Sequence, residues 1–275
     1  MRRMIVAALL AGGAHVAQAA DMPDFSSMPL RGPLSAGPVN WQGFYVGGQA
    51  GYGSADMNFA GSNAGLIGEA LGPNNIIQNT VLSVGQAHGK VSLRQTQFGG
   101  FAGYNNQWED VVLGFEANYM RGKFDGASIV APVPLTYVTA FSDGLYHTIG
   151  LVSSRSVSIT DMGTLRARAG YAVGSFLPYV FGGVSLGRAD ISSTVNITDR
   201  SANTFAGSPS GPLTTYAADN TITGKLLYGY TAGLGTDIML GANFFGRLEW
   251  EYLRFVNAGA DVNINTVRGG LGYKF

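Results

Sequence analysis

Residues 165–173 read Leu165-Arg166-Ala167-Arg168-Ala169-Gly170-Tyr171-Ala172-Val173. In an extended chain side chains alternate between two faces, so Leu165, Ala167, Ala169, Tyr171 and Val173 share one face and Arg166, Arg168 and Gly170 the other. Two arginines therefore lie inside an apolar stretch, on the same side. A soluble β-sandwich also shows a period of two, but it buries its apolar face and wets its charged one. Here the charged face is flanked by glycine, as the interior of a narrow barrel requires, and the apolar, aromatic face is left to look outward.

The same alternation recurs along the chain. Phe44, Val46, Ala50 and Tyr52 oppose Gln49 and the glycines at 47, 51 and 53. Phe98, Ala102 and Tyr104 oppose Gln97 and Asn105, with Phe101 as a mismatch. Val111, Leu113, Phe115, Ala117 and Tyr119 oppose Glu116, Asn118 and Met120. From Pro178 to Arg188 the face assignment is open, with Val180, Val184 and Leu186 against Tyr179, Phe181 and Ser185. Tyr228, Tyr230, Ala232, Leu234 and Ile238 oppose Thr231, Gly233 and Asp237. Phe244, Leu248, Trp250 and Tyr252 oppose Arg247, Glu249 and Glu251, and Val267, Leu271, Tyr273 and Phe275 oppose Arg268, Gly270 and Lys274. Most segments hold two or more glycines, each costing about 1 kcal/mol in a helix interior. The expectation is an all-β fold, an eight-stranded antiparallel up-and-down transmembrane β-barrel over residues 41–275.

Composition agrees. Of 275 residues 41 are glycine and 12% are charged, the latter about half the usual share for a soluble domain. Mean hydropathy is only +0.13, and no uncharged apolar run reaches the roughly 18 residues of a membrane-spanning helix. Cysteine is absent, which removes disulfides, thiolate metal sites and thiol nucleophiles. The net charge of +0 without a basic block argues against nucleic acid as a partner.

At the N-terminus Arg2 and Arg3, the apolar run Met4 to Ala11 and the small residues Ala17-Gln18-Ala19 have the order of a secretory signal peptide. Residues 1–19 are read as that signal and residues 20–40, with four prolines and no periodicity, as a periplasmic tether. Connections between the expected strands alternate in length: 54–90 is long, Asn105 to Asp110 short, 124–163 long, Gly174 to Leu177 short, 191–223 long, Met239 to Asn243 short. Outer-membrane barrels have long surface loops and short periplasmic turns. Trp41, Tyr52, Tyr104, Trp108, Tyr119, Tyr252 and Tyr273, near expected strand ends, suit interfacial girdles.

Four segments, Trp41 to Gly48 (WQGFYVGG), Thr164 to Tyr171 (TLRARAGY), Leu177 to Val184 (LPYVFGGV) and Arg268 to Phe275 (RGGLGYKF), resemble the small porin-like β-barrels of the RopB-type family, known as outer-membrane immunogenic or haemin-binding proteins. The resemblance covers Trp41 to Phe275 outside the loops. It implies an outer-membrane location and, at Leu271, Tyr273 and Phe275, the C-terminal pattern read by the barrel-assembly machinery. It also raises haemin or a host surface as a ligand of the loops.

The expected lumenal charge network comprises Glu116, Arg166, Arg168, Asp237, Arg247, Glu249, Glu251, Arg268 and Lys274. Unpaired, each would cost several kcal/mol inside the wall, so they should pair. An eight-stranded barrel is just wide enough for side chains to fill it. His88 and His147, in or beside long loops, are read as solvated residues and candidate loop ligands; neither has a catalytic motif around it, and no metal site or cofactor is expected. Glu249 and Glu251 share a strand face by their spacing alone. Three functions remain open: a structural or surface-interaction protein of the envelope, a small porin-like channel, and a loop-mediated binder.

Overall fold

The computed structural model describes residues 39–59, 63–73, 75–84, 88–130, 135–136, 140–203, 211–241 and 243–275. The expected signal peptide and nearly all of the expected tether lie outside the described residues. The elements, in chain order, are β1 (Gly43–Asn58), α1 (Ala64–Leu71), α2 (Gln78–Val84), β2 (Lys90–Trp108), β3 (Val111–Val130), β4 (Leu135–Thr136), β5 (Tyr146–Tyr171), β6 (Phe176–Ala202), β7 (Leu213–Met239), β8 (Phe244–Phe255) and β9 (Asp261–Lys274). No helix among the described residues is long and apolar enough to cross a membrane.

Each long strand pairs antiparallel with its neighbours, and two pairings close the ring. β1 joins β9 from Tyr45↔Lys274 to Asn58↔Asp261, and β3 joins β5 from Val111↔Tyr171 upward. Eight strands thus form an up-and-down barrel, and the two-residue β4 continues the β3 side of β5 at Ile149 and Thr148. Closure satisfies the backbone hydrogen bonds that an open sheet edge would leave bare in an apolar medium.

The faces sort as the period of two requires. Phe44, Phe98, Phe115, Leu165, Leu234, Leu248 and Leu271 point outward, Phe115 with 75% of its surface exposed. The open assignment in β6 is resolved, with Val180, Val184 and Leu186 outside and Tyr179, Phe181 and Ser185 inside. The outward apolar band ends at Tyr52, Tyr119 and Tyr252; the next outward residues are Ser54 and Asp56 on β1, Arg121 and Lys123 on β3, Arg188 on β6 and Arg254 on β8. A band of this kind is about 25 Å tall.

Two expectations need correction. Trp41 is not in a girdle: it is buried inside the mouth at the short-turn end, its ring 6.2 Å from that of Phe245. The long connections are also mostly strand. β5, β6 and β7 are 26, 27 and 27 residues long, so 131–145 and 203–212 remain between strands where 124–163 and 191–223 were expected. Above the apolar band the strands alternate serine and threonine with apolar residues, as in Ser156–Thr160. Backbone pairing persists there while the hydropathy signal fades. The first connection, 59–89, carries α1 and α2. At the opposite end the β2–β3 turn tightens to Glu109 and Asp110, between the pair Trp108↔Val111, with Glu109 at φ 52°.

Inside, layers stack along the axis. Trp41, Tyr45, Phe101, Val112, Leu177, Tyr179, Phe181, Met239 and Phe245 fill the short-turn end. A charged layer follows. Above it an apolar cluster that includes Met57, Phe59, Met120, Phe124, Ile159, Leu253, Phe255 and Ile264 fills the bore. Highest, Ile67, Leu71, Ile77 and Val81 of the helical connection pack on Ile149, Leu151, Val195 and Ile197 of β5 and β6.

Glycines set the positions of the inward rings. The cross-strand pairs include Tyr45↔Gly103, Phe101↔Gly47, Tyr179↔Gly235, Phe181↔Gly233, Phe245↔Gly272 and Phe255↔Gly229. In each pair a large aromatic lies opposite a residue with no side chain. A Cβ on Gly47 would collide with Phe101, and one on Gly272 with Phe245. This accounts for Phe101, the mismatch in the β2 pattern: its ring turns inward over Gly47.

Candidate functional site

The paired strands β3, β5, β7, β8 and β9 aim one charged face at the axis, and the register brings eight charges together. Glu116 Oε2 accepts from Arg247 Nη1 at 2.7 Å and from the Tyr45 hydroxyl at 2.8 Å, and Arg168 Nη1 lies 3.4 Å away. Its Oε1 accepts from Arg166 Nε at 3.0 Å and from Arg166 Nη2. Asp237 accepts from Arg168 Nη2 at 2.7 Å and from Arg247 Nε at 2.8 Å. Glu249 accepts from Arg166 Nη2 at 2.7 Å, Arg268 Nε at 2.7 Å and the Tyr179 hydroxyl at 2.5 Å. Glu251 accepts from the Thr231 hydroxyl at 2.8 Å and lies 3.0 Å from Arg268 Nη1.

Four arginines face four carboxylates, and all eight are buried, so the layer is balanced in formal charge. Three guanidiniums also stack on the inward rings: Arg168 3.8 Å over Tyr179, Arg247 3.9 Å over Phe101 and Arg166 4.1 Å over Phe181. These cation–π contacts are worth most where water is excluded. The arginines thus satisfy both the acids and the rings that glycine makes room for.

Lys274 is the exception to the expected network. It has the inward parity but stands at the mouth, half-buried, where Nζ donates to the Gln42 carbonyl at 3.2 Å. Parity assigns a face but not a depth, and the last paired residue of a strand lies at the rim.

The histidines differ from expectation too. Both are buried rather than solvated, His88 at the end of the first connection and His147 at the start of β5. His88 Nε2 lies 2.9 Å from Asn63 Nδ2 and 3.0 Å from Ser153 Oγ, and Nδ1 lies 3.4 Å from Ser128 Oγ. Burial, with Arg155 nearby, pushes its pKa down from the usual histidine value. The Ser153–His88 contact has the spacing of a nucleophile and base, yet Ser153 has no exposed surface, so no substrate reaches it. His147 Nδ1 meets Asp199 at 2.9 Å and Nε2 meets Asp143 at 3.1 Å. Burial alone would lower its pKa, but hydrogen bonds and charge from Asp199 and Asp143 outweigh that and hold it above the usual value. Sequence spacing could not have joined His147 to Asp199, which reaches it across the β5–β6 ladder.

Leu271, Tyr273 and Phe275 point outward along the end of β9. Phe275 is anchored by its N–H, which donates to the Phe44 carbonyl at 2.9 Å. Tyr273 sits edge-on between Phe244 and Phe275, with ring centroids at 5.0 and 5.2 Å.

Comparison with known proteins adds the following. The family model described as the outer membrane protein beta-barrel domain matches residues 4–275. The 25 kDa outer-membrane immunogenic protein of Brucella ovis is 24% identical over 273 residues, covering 99% of this chain and 96% of the relative. The 31 kDa outer-membrane immunogenic protein of Brucella melitensis is 28% identical over 285 residues, with both chains fully covered. Among solved structures, Neisserial surface protein A aligns with 84% of this chain and 97% of its own, at 13% identity and a TM-score of 0.36.

Proposed function

The chain belongs to the outer membrane protein β-barrel family, and from that premise we propose that it is a sealed barrel that holds a built scaffold above the outer membrane, a structural and surface-interaction protein rather than a channel. Its location is the cell outer membrane, with the apolar band against the lipid bilayer. The observation that carries the reading is the filled bore: aromatic rings at the periplasmic end, a balanced layer of four arginines and four carboxylates, and an apolar cluster above it. An ion would have to displace buried guanidiniums and carboxylates that are paired with one another.

The same reading assigns further roles. Residues 1–19 are an export signal and 20–40 a periplasmic tether. Leu271, Tyr273 and Phe275 form the pattern recognised by the barrel-assembly machinery. The protein is not a catalyst. Haemin ligation by His88 or His147 fits the geometry poorly, because both nitrogens of each ring face a polar partner and both rings are buried.

Planar-bilayer recording of the refolded chain tests the proposal. The wild type should be silent. Steady single-channel conductance would replace this reading with the porin-like one.

A further inference from the structure

We propose that the upper outer edge of β7, from Leu213 to Lys225, is a docking edge that takes up an extended strand of another protein by backbone pairing. The inference rests on the surface orientation adopted above. β6 accompanies β7 along nearly its whole length, from Phe176↔Ile238 to Arg200↔Leu213. On the other side β8 accompanies it only from Met239↔Phe245 to Gly229↔Phe255. Just past that point the chain improvises a cap. Val256 N–H donates to the Tyr228 carbonyl at 3.1 Å, Asn257 Oδ1 accepts from Tyr228 N–H at 2.9 Å, and Asn257 Nδ2 donates to the Leu226 carbonyl at 3.1 Å. Beyond Leu226 no strand among the described residues lies on this edge. Alternate residues of such an edge direct both N–H and C=O away from the sheet.

Free edges are ordinarily guarded by charge, proline or short length. Along the margin where β2–β3 pairing stops at Phe98↔Arg121, Lys90, Arg94, Arg121, Lys123 and Asp125 supply such charge up to the middle of β3. Between Leu213 and Thr223, β7 has one charge, Asp219, no proline, and four threonines with Tyr216 and Ile222, residues that favour strand pairing. Tyr216, with Leu66 and Ala70 of α1, packs on the uppermost core. An added strand would thus gain an apolar backing on one face as well as hydrogen bonds. Over the whole edge Asp219 and Lys225 cancel in net charge, which favours a neutral strand.

A second copy in the same membrane fits this edge badly. A two-fold axis along the membrane normal reverses the tilt of β7, and strands tilted by about 35–45° would then cross instead of lying side by side.

The test uses the full chain in lipid vesicles and a labelled eight-residue peptide of alternating threonine and valine with a lysine at each end. A twin peptide N-methylated at alternate residues has the same side chains but lacks those backbone donors. The first peptide should bind and slow amide exchange within residues 213–225. The twin should bind at least about tenfold more weakly, because several hydrogen bonds are lost. The barrel variant Thr215→Lys/Ala217→Lys, which charges two exposed positions, should lose the peptide yet keep its heat-modifiable folded form. Equal binding of both peptides, protection only outside 213–225, or self-association of the barrel without peptide would each overturn the proposal. None of these readouts depends on conductance, so the sealed-barrel reading stands or falls separately.

Discussion

Arg168 illustrates what a single inward residue does here. It bonds Asp237, approaches Glu116 and covers the face of Tyr179, so its removal leaves a carboxylate facing fewer positive charges in a dry site. Breaking a buried pair costs about 3 to 5 kcal/mol. Arg168→Ala should therefore lower the urea midpoint of the barrel in vesicles, whereas Ser192→Ala should leave it in place. Ser192, expected in a loop, lies on the exposed face of β6 and shares a weak contact with Thr221 at 3.2 Å. Glycine is the other residue-scale determinant. A methyl on Gly272 would enter the Phe245 ring, while the nearest atom to one on Gly163 is 3.8 Å away. Overpacking costs about 1 to 3 kcal/mol, so Gly272→Ala should destabilise and Gly163→Ala should not, by the same unfolding measurement.

Among the elements, the upper half of β5 carries the clearest pH dependence. His147 clamps Asp143 of the preceding connection to Asp199 of β6, and its pKa is raised. For a group raised on folding, the stabilisation is complete below the unfolded value near 6.5 and disappears as pH rises through the folded value. The segment 140–145 should accordingly show slow amide exchange at mildly acidic pH, adjusted for intrinsic rates, and lose protection as pH rises. His147→Gln should remove that dependence; a pH-independent wild type would contradict the clamp. His88 has the opposite sign. Its lowered pKa means that protonation opposes the fold, so its contribution is lost as pH falls below about 6.5. The two sites bracket a window in which the surface extension is held at both.

At the scale of the molecule, the proposed assembly pattern lies where the ring closes. β9 pairs with β1 to seal the ring, and Phe275 lies at the last rung of that seam. Its ring is largely exposed, so its removal takes little packing away. Deleting Phe275 should then reduce the fraction of heat-modifiable barrel in outer membranes far more than it lowers the unfolding midpoint of barrels that do form. Normal assembly of the shortened chain would remove the assembly role.

The period of two, the inward charges and the eight strands were legible in the sequence because alternation in a strand is local: each residue's face follows from its neighbours. Arg166 and Arg168 pointed into the bore for the same reason that Leu165 and Ala167 pointed to lipid. Depth and partnership were decided only by the tertiary structure. Lys274 has the right parity but lies at the rim, Trp41 carries an aromatic signal but turns inside, and Phe101 enters the bore because Gly47 leaves space on another strand. The upper strands escaped the reading because their pairing is made by backbone groups, which every residue has, while hydropathy records only side chains. His147 met Asp199, and β7 outran β8, through register and strand length, quantities that exist only once the ring is closed.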